Sequence, residues 1–317
     1  MTKRLTTILL MLVMAISGLS GCATKDIEGD KISIVSTSFA AYDWISEIVG
    51  EDNDSFNVTL LSNGGDMHSY QPKASDIAKI HSCDLFVYVG GNTDEWAKKL
   101  LENSNINSVD MFSLVGENDW LVTEPDKHPK VHNHESHSHA VYDEHLWLSL
   151  RLAKKMVGGL LEEILVLDAQ NREVYQKNAE NYIQKLDDLD KEYQKAVDDS
   201  RDKTVIFADR FPFLYLVKDY GIKHYAAFPS CSSDTDASFD VVIELAEKTK
   251  ELKKEALLVL ENPAQSIAQA VIKAAECENT KTAVMNSCQS IAGKDAKDND
   301  YIEIMTENLA SLKEALR

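Results

Sequence analysis

Positive charge is scarce in this sequence relative to negative: 33 Lys and Arg stand against 52 Asp and Glu, a formal net charge of −19 over 317 residues. Binding a phosphate backbone needs a surplus of cations, so the balance excludes nucleic acid as a partner. No H-E-x-x-H pair, no G-x-S-x-G elbow and no phosphate-cradling glycine loop occurs, which removes the common signatures of zinc proteases, serine hydrolases and nucleotide binders. The apolar run from Leu5 to Ile16 is too short to be trusted as a membrane-spanning helix. Disorder is excluded in turn, because 44% hydrophobic and 27% charged residues suffice for a buried core. At roughly 100–200 residues per domain the length suggests two compact units. An acidic surface is compatible with a metal cation as ligand, but acidity alone usually serves solubility.

The N-terminus carries an address. Lys3 and Arg4 precede the apolar run, and Leu19-Ser20-Gly21-Cys22 follows it. That order predicts a signal peptide over residues 1–21, with an ending that resembles a bacterial lipobox and makes Cys22 the lipid attachment point. Its removal takes away two cations and no anions, shifting the net charge to −21. Residues 22–30 then read as a lipid-anchored tether, and the mature chain as extracytoplasmic, anchored to the membrane but not embedded. Outside the cytosol cysteines can pair. Four remain, Cys83, Cys231, Cys277 and Cys288. Cys83 precedes an apolar strand and reads as a buried small residue. Cys231 and Cys288 each follow a predicted strand; a disulfide between them is the first expectation and a metal-ligand role the second.

Along the mature chain, β-rich runs alternate with helical stretches. Strands are expected at 32–35, 58–61, 85–89, 109–112, 205–207, 224–227, 257–260 and 283–285. Helices are expected near 39–50, 73–81, 93–103, 211–220, 236–252, 264–275 and 299–316. The alternation predicts an α/β fold of two lobes, residues 31–166 and 203–317, each a roughly four-stranded parallel sheet flanked by helices. Between them, from Asp168 to Ser200, no Gly or Pro interrupts a helix-favouring pattern. Val174, Asn178, Ile183, Leu186, Leu189, Tyr193 and Val197 mark one face of a rigid linking helix of about 30 residues, roughly 45 Å long. A single strut of this kind should allow limited tilting rather than hinge closure.

Histidine is concentrated. Residues 124–142 hold five, His128, His132, His134, His137 and His139, with two prolines and hardly any apolar side chains. Such a surface loop cannot pack a core, and neutral imidazoles collect borderline-soft cations such as Zn²⁺. Outside it, His68 lies in Met67-His68-Ser69-Tyr70-Gln71-Pro72 after a strand, and His145 in Asp143-Glu144-His145-Leu146-Trp147 at the start of a helix. Ligands gather at the carboxyl ends of parallel strands, which makes His68 a candidate ligand, and His145 joins it through the same loop-to-helix placement. His224, inside a strand, reads as structural, and His81 as a residue at a helix end.

Taken in order, the lipobox, the His68 segment, the His-rich loop, the His145 segment and the long helix resemble the metal-binding lipoproteins of bacterial ABC importers, the cluster A-I (cluster 9) solute-binding proteins for zinc and manganese. The resemblance runs from about residue 31 to 317. It implies a metal held in a cleft between two lobes, a partner permease with its ATPase in the cytoplasmic membrane, a monomer, and no enzymatic activity. Two histidines from the first lobe match His68 and His145. For the second lobe the family has a histidine or glutamate after the first strand and an aspartate after the last. Here the first slot holds Asp209 or, counting back from Gly221, Arg210, and the second holds Asn286. Arginine stays protonated and cannot ligate, which favours Asp209; a helix cap is its bland reading. Cys231, Cys288 and Glu261 are further candidates. Thiols and imidazoles favour zinc over manganese. The competing readings are a zinc hydrolase with an open coordination position and Glu144 as base, a manganese-type binding protein, and a cell-adhesion protein whose metal is incidental.

Overall fold

The computed structural model describes residues 31–50, 53–65, 67–122, 142–229, 231, 237–261 and 265–317. The expected signal peptide, Cys22, the tether and all five histidines of the 124–142 loop lie outside the described residues. Ile32–Arg317 form one unit.

The first half runs β1 (Ile32–Ser36), α1 (Phe39–Val49), β2 (Phe56–Leu60), α2 (Ala74–Ser82), β3 (Leu85–Tyr88), α3 (Glu95–Leu101), β4 (Ser108–Asp110) and α4 (Met111–Val115). Two long helices follow, α5 (Leu150–Leu167) and α6 (Arg172–Asp199). The second half runs β5 (Thr204–Phe207), α7 (Leu214–Asp219), β6 (Lys223–Ala226), α8 (Phe239–Glu251), β7 (Ala256–Leu260), α9 (Ser266–Ala275), β8 (Lys281–Met285) and α10 (Tyr301–Ala315). Each half holds a four-stranded sheet, in the orders β2-β1-β3-β4 and β6-β5-β7-β8, and every pairing is parallel. The two sheets therefore share one topology. Strands β3, β5 and β7 are buried at every position, as a sheet covered on both faces requires.

Two of the element boundaries that differ from expectation are set by a single aspartate. The strand expected over 109–112 stops at Asp110, whose side chain accepts the Ser113 amide at 2.9 Å and caps a helix that starts at Met111. The long helix starts at Arg172 rather than Asp168. Asp168 instead closes the α5–α6 turn, accepting from the Gln170 amide (3.1 Å), the Asn171 side chain (2.7 Å) and the Tyr175 hydroxyl (2.7 Å).

Helix α6 is not a free strut. Its buried stripe is Tyr175, Ala179, Tyr182, Leu186, Leu189, Tyr193 and Val197, while Val174 is exposed. The stripe packs on α5, α1 and α10, so it belongs to both halves. One apolar core accordingly runs from Ile34 and Trp44 through Leu186 to Phe207 and Tyr301. The Trp44 and Tyr301 rings meet edge-on at 5.2 Å across the two halves. Among the described residues no helix is long and apolar enough to cross a membrane.

Candidate metal centre

The carboxyl ends of the two sheets supply the site. His68 sits in a short 3₁₀ turn, Met67–Ser69, between β2 and α2. His145 caps another, Leu146–Leu148, at the entrance to α5. From the second half comes Cys231, on the connection after β6. One ligand atom from each of the three lies within 4.8 Å of the other two. The His68 and His145 Nε2 atoms are 3.3 Å apart. Two Zn–N bonds of about 2.0–2.1 Å at a tetrahedral angle span ~3.3 Å between nitrogens, so the imidazole spacing is that of a zinc pair.

Each imidazole is aimed by a second contact. His145 Nδ1 lies 3.0 Å from Asp143 Oδ1, which also accepts the His145 backbone amide at 3.0 Å. An ionised carboxylate only accepts, so Nδ1 carries the hydrogen, and in the neutral ring Nε2 presents its lone pair to the centre. His68 Nδ1 lies 2.7 Å from Thr93 Oγ1. A hydroxyl both donates and accepts, so Thr93 suits either tautomer of His68. Two lone pairs 3.3 Å apart repel unless a proton or a cation sits between them.

Thr93 is held in turn by Glu144. This buried carboxylate accepts the Asn92 amide through Oε1 and the Thr93 amide at 3.2 and 3.1 Å through its two oxygens. Gly91 is glycine for space, since a Cβ there would lie 2.3 Å from Glu144 Cδ. Both Glu144 oxygens thus accept from backbone amides. Asp94 ties the same loop to the sheet through the Val89 amide (2.6 Å) and the Thr37 hydroxyl (3.2 Å). Burial pushes its carboxyl up to about 6, against those hydrogen bonds and with the help of Glu144.

Cys231 and His145 are both buried, each 3% exposed. Burial opposes the Cys231 thiolate, yet hydrogen bonds and charge from His145 and His68 outweigh it and bring the thiol down to about 7. Burial likewise opposes the His145 imidazolium, and Asp143 and Cys231 outweigh it, holding the ring well above its ordinary value. The Gln289 side-chain amide reaches the Cys231 sulfur at 3.6 Å.

The other candidates are placed elsewhere. Asp209 accepts the Arg210 amide at 2.8 Å through Oδ1 and the Leu260 amide at 3.2 Å through Oδ2, tying the ends of β5 and β7 together. Glu261 accepts from the Ser287 amide (3.0 Å) and hydroxyl (2.8 Å). Cys288 is sealed in the core, where burial holds its thiol well above the ordinary value. All four described cysteines are free, so the expected Cys231–Cys288 disulfide is absent. The physical reason is that Cys231 turns its sulfur to the imidazoles. His224 stacks on Phe211 with ring centroids 4.3 Å apart, and His81 is exposed in the last turn of α2. Sequence reasoning gave no role to Thr93. A hydroxyl in a Gly-Gly-Asn-Thr turn after a strand was the available signal.

Residues 34–315 match the family model described as ZnuA, zinc-uptake complex component A periplasmic. The chain belongs to this family. It is 32% identical over 301 residues to the zinc-binding lipoprotein AdcA of Streptococcus pneumoniae, covering 93% of this chain and 58% of that protein. The chain thus spans somewhat over half the length of that relative. It is 31% identical over 307 residues to the high-affinity zinc uptake system protein ZnuA of Bacillus subtilis, covering 96% and 94% of the two chains. The solved structure of the Zn(II)-bound ZnuA-like domain of Streptococcus pneumoniae AdcA superposes with a TM-score of 0.69 at 30% identity, covering 90% of this chain and 99% of that one. The ZnuA-family fold, two parallel four-stranded sheets wrapped by helices, is therefore the fold of this chain.

Proposed function

We propose that this chain captures Zn²⁺ on the outer side of the cytoplasmic membrane and delivers it to the permease of an ABC importer powered by a cytoplasmic ATPase. The ligands are His68 and His145 from one half and Cys231 from the other, with a fourth position open to water. The observation that carries this reading is the pair of Nε2 atoms 3.3 Å apart beside a buried thiol, with Asp143 fixing one lone pair inward. Relatives named zinc-binding and zinc-uptake proteins support it. Three protein ligands and one open position also describe catalytic zinc. A hydrolase needs a free base beside that position, and Glu144 is occupied by the Asn92 and Thr93 amides. Cys22 as lipid anchor keeps the protein near its permease, and the protein works as a monomer.

Isothermal titration of the mature chain is expected to show one tight zinc equivalent. His68→Ala and His145→Ala should each weaken it by about a hundredfold or more, with the circular dichroism spectrum unchanged. Unaltered affinity in either variant refutes the site, and zinc-dependent turnover of ester or peptide substrates refutes the transport reading.

A further inference from the structure

The third donor is sulfur. The second half also brings two carboxylates to its strand ends, but both are engaged. Asp209 uses its two oxygens on the Arg210 and Leu260 amides, and Glu261 uses its two on Ser287. Among the described residues, the group able to surround an ion is two imidazoles and one thiol.

Building on the zinc reading, we propose that Cys231 makes this a thiophilic site whose cargo extends to soft d¹⁰ cations, Cd²⁺ foremost, and excludes hard cations such as Mn²⁺. Thiolate selects soft ions, whereas manganese wants oxygen-rich, near-octahedral surroundings. All three donors are held in place. Thr93 and Asp143 fix the imidazoles, with His145 gripped twice by Asp143. The sulfur takes a 3.6 Å contact from the Gln289 amide, and Cys231 is buried in the core. The sulfur is the donor that favours the softer cation chemically.

Competition against a chromophoric chelator, with zinc, cadmium and manganese chlorides added singly to the full mature chain, tests this. Cadmium should bind the wild type within about tenfold of zinc, and manganese at least ~1000-fold more weakly. A sulfur-to-cadmium charge-transfer band should saturate at one equivalent and disappear in both Cys231→Ser and His68→Ala, which separates Cys231 from the other thiols. Cys231→Ser should lower the ratio of cadmium to zinc affinity by about tenfold or more. An unchanged ratio in Cys231→Ser, or no band at one equivalent in the wild type, overturns the thiophilic assignment while tight zinc binding leaves the zinc reading standing. Absence of tight zinc binding to the wild type removes the zinc reading itself. If Cys231→Ser fails to fold, the wild-type band and its loss in His68→Ala still decide.

Discussion

Asp143 and Glu144 are neighbours in the chain yet serve different histidines. Asp143 grips His145 directly, while Glu144 reaches His68 through the Asn92 and Thr93 amides and the Thr93 hydroxyl. Groups that orient a ligand in this way commonly carry 10–100-fold in metal affinity. Glu144→Ala is accordingly expected to weaken zinc about 10–100-fold, and Glu144→Gln, which keeps one acceptor, by less; titration calorimetry of the two variants checks the order. Acid should act on the same residues. Zinc takes a thiolate and neutral rings, so binding displaces protons. With the Cys231 thiol near 7 and the His145 ring raised, the empty site holds more protons as pH falls. Zinc affinity should therefore drop by about tenfold or more for each unit below pH 7, measured by chelator competition; a flat profile from about 5.5 to 7.5 contradicts it. His68 and His145 were readable from sequence because each stands at a loop-to-helix junction within a distinctive segment. Cys231 could be named only as one thiol among several, since its partners are 163 and 86 positions away in number and no local pattern encodes that meeting. Asp209 is ambiguous for the converse reason: its place after a strand is shared by ligands and by carboxylates that, as here, tie strand ends together.

At the level of elements, all eight strands could be placed from short β-rich runs, most plainly β3, β5 and β7, because a strand covered on both faces reads as an uninterrupted hydrophobic stretch. Ends were harder, since they depend on single caps such as Asp110 and Asp168. The phase of α6 was half right. Its C-terminal stripe from Leu186 onward was identified, but its first turns bury Tyr175, Ala179 and Tyr182 where Val174, Asn178 and Ile183 were expected. Those tyrosines are buried because their hydroxyls find partners, Tyr175 on Asp168 and Tyr182 on Asp43 at 2.8 Å. Leu186 is fully buried in the core common to both halves. Leu186→Ala should cost about 2–5 kcal/mol of unfolding free energy. Zinc affinity at pH 7 should be unaffected, because Leu186 makes no contribution to the ligand group. Urea unfolding and a zinc titration on one preparation measure both quantities.

Across the whole molecule, the halves are stitched at several levels. The Trp147 indole donates to the Ser287 carbonyl (2.8 Å), the Tyr301 hydroxyl to the Trp147 carbonyl, and the Tyr215 hydroxyl to the Asp143 carbonyl (3.0 Å). The Gly293 amide donates to the Ser62 carbonyl at 3.0 Å, with the backbones so close that a Cβ on Gly293 would lie 2.4 Å from the Leu60 carbonyl oxygen. Wide hinge opening would break these bonds and split one core, so in the proposed transport role cargo exchange would fall to local movement near the site. Asp43 lies in the same seam. It accepts from Tyr182 of α6 (2.8 Å) and from the Tyr301 amide of α10 (3.4 Å), joining three elements. Burial, with Asp300 and Glu47 nearby, pushes its carboxyl from 3.8 up to about 7, against the Tyr182 and Tyr301 hydrogen bonds. Between those values the folded chain holds a proton that the unfolded chain has released. Protonation therefore favours folding, and the contribution is full below about pH 4 and lost as pH rises through 7. An asparagine at this position stays neutral throughout. Asp43→Asn should flatten the slope of stability between pH 4 and 7, making the variant gain on the wild type by on the order of 2–4 kcal/mol from pH 5 to pH 8. The measurement is urea unfolding of the metal-free proteins, since bound zinc adds its own proton linkage. Because Asp43 bridges both halves through one core, the change should appear as a shift of a single cooperative transition. Parallel stability curves for the two proteins across that range would show that the Asp43 carboxyl is ionised in the fold.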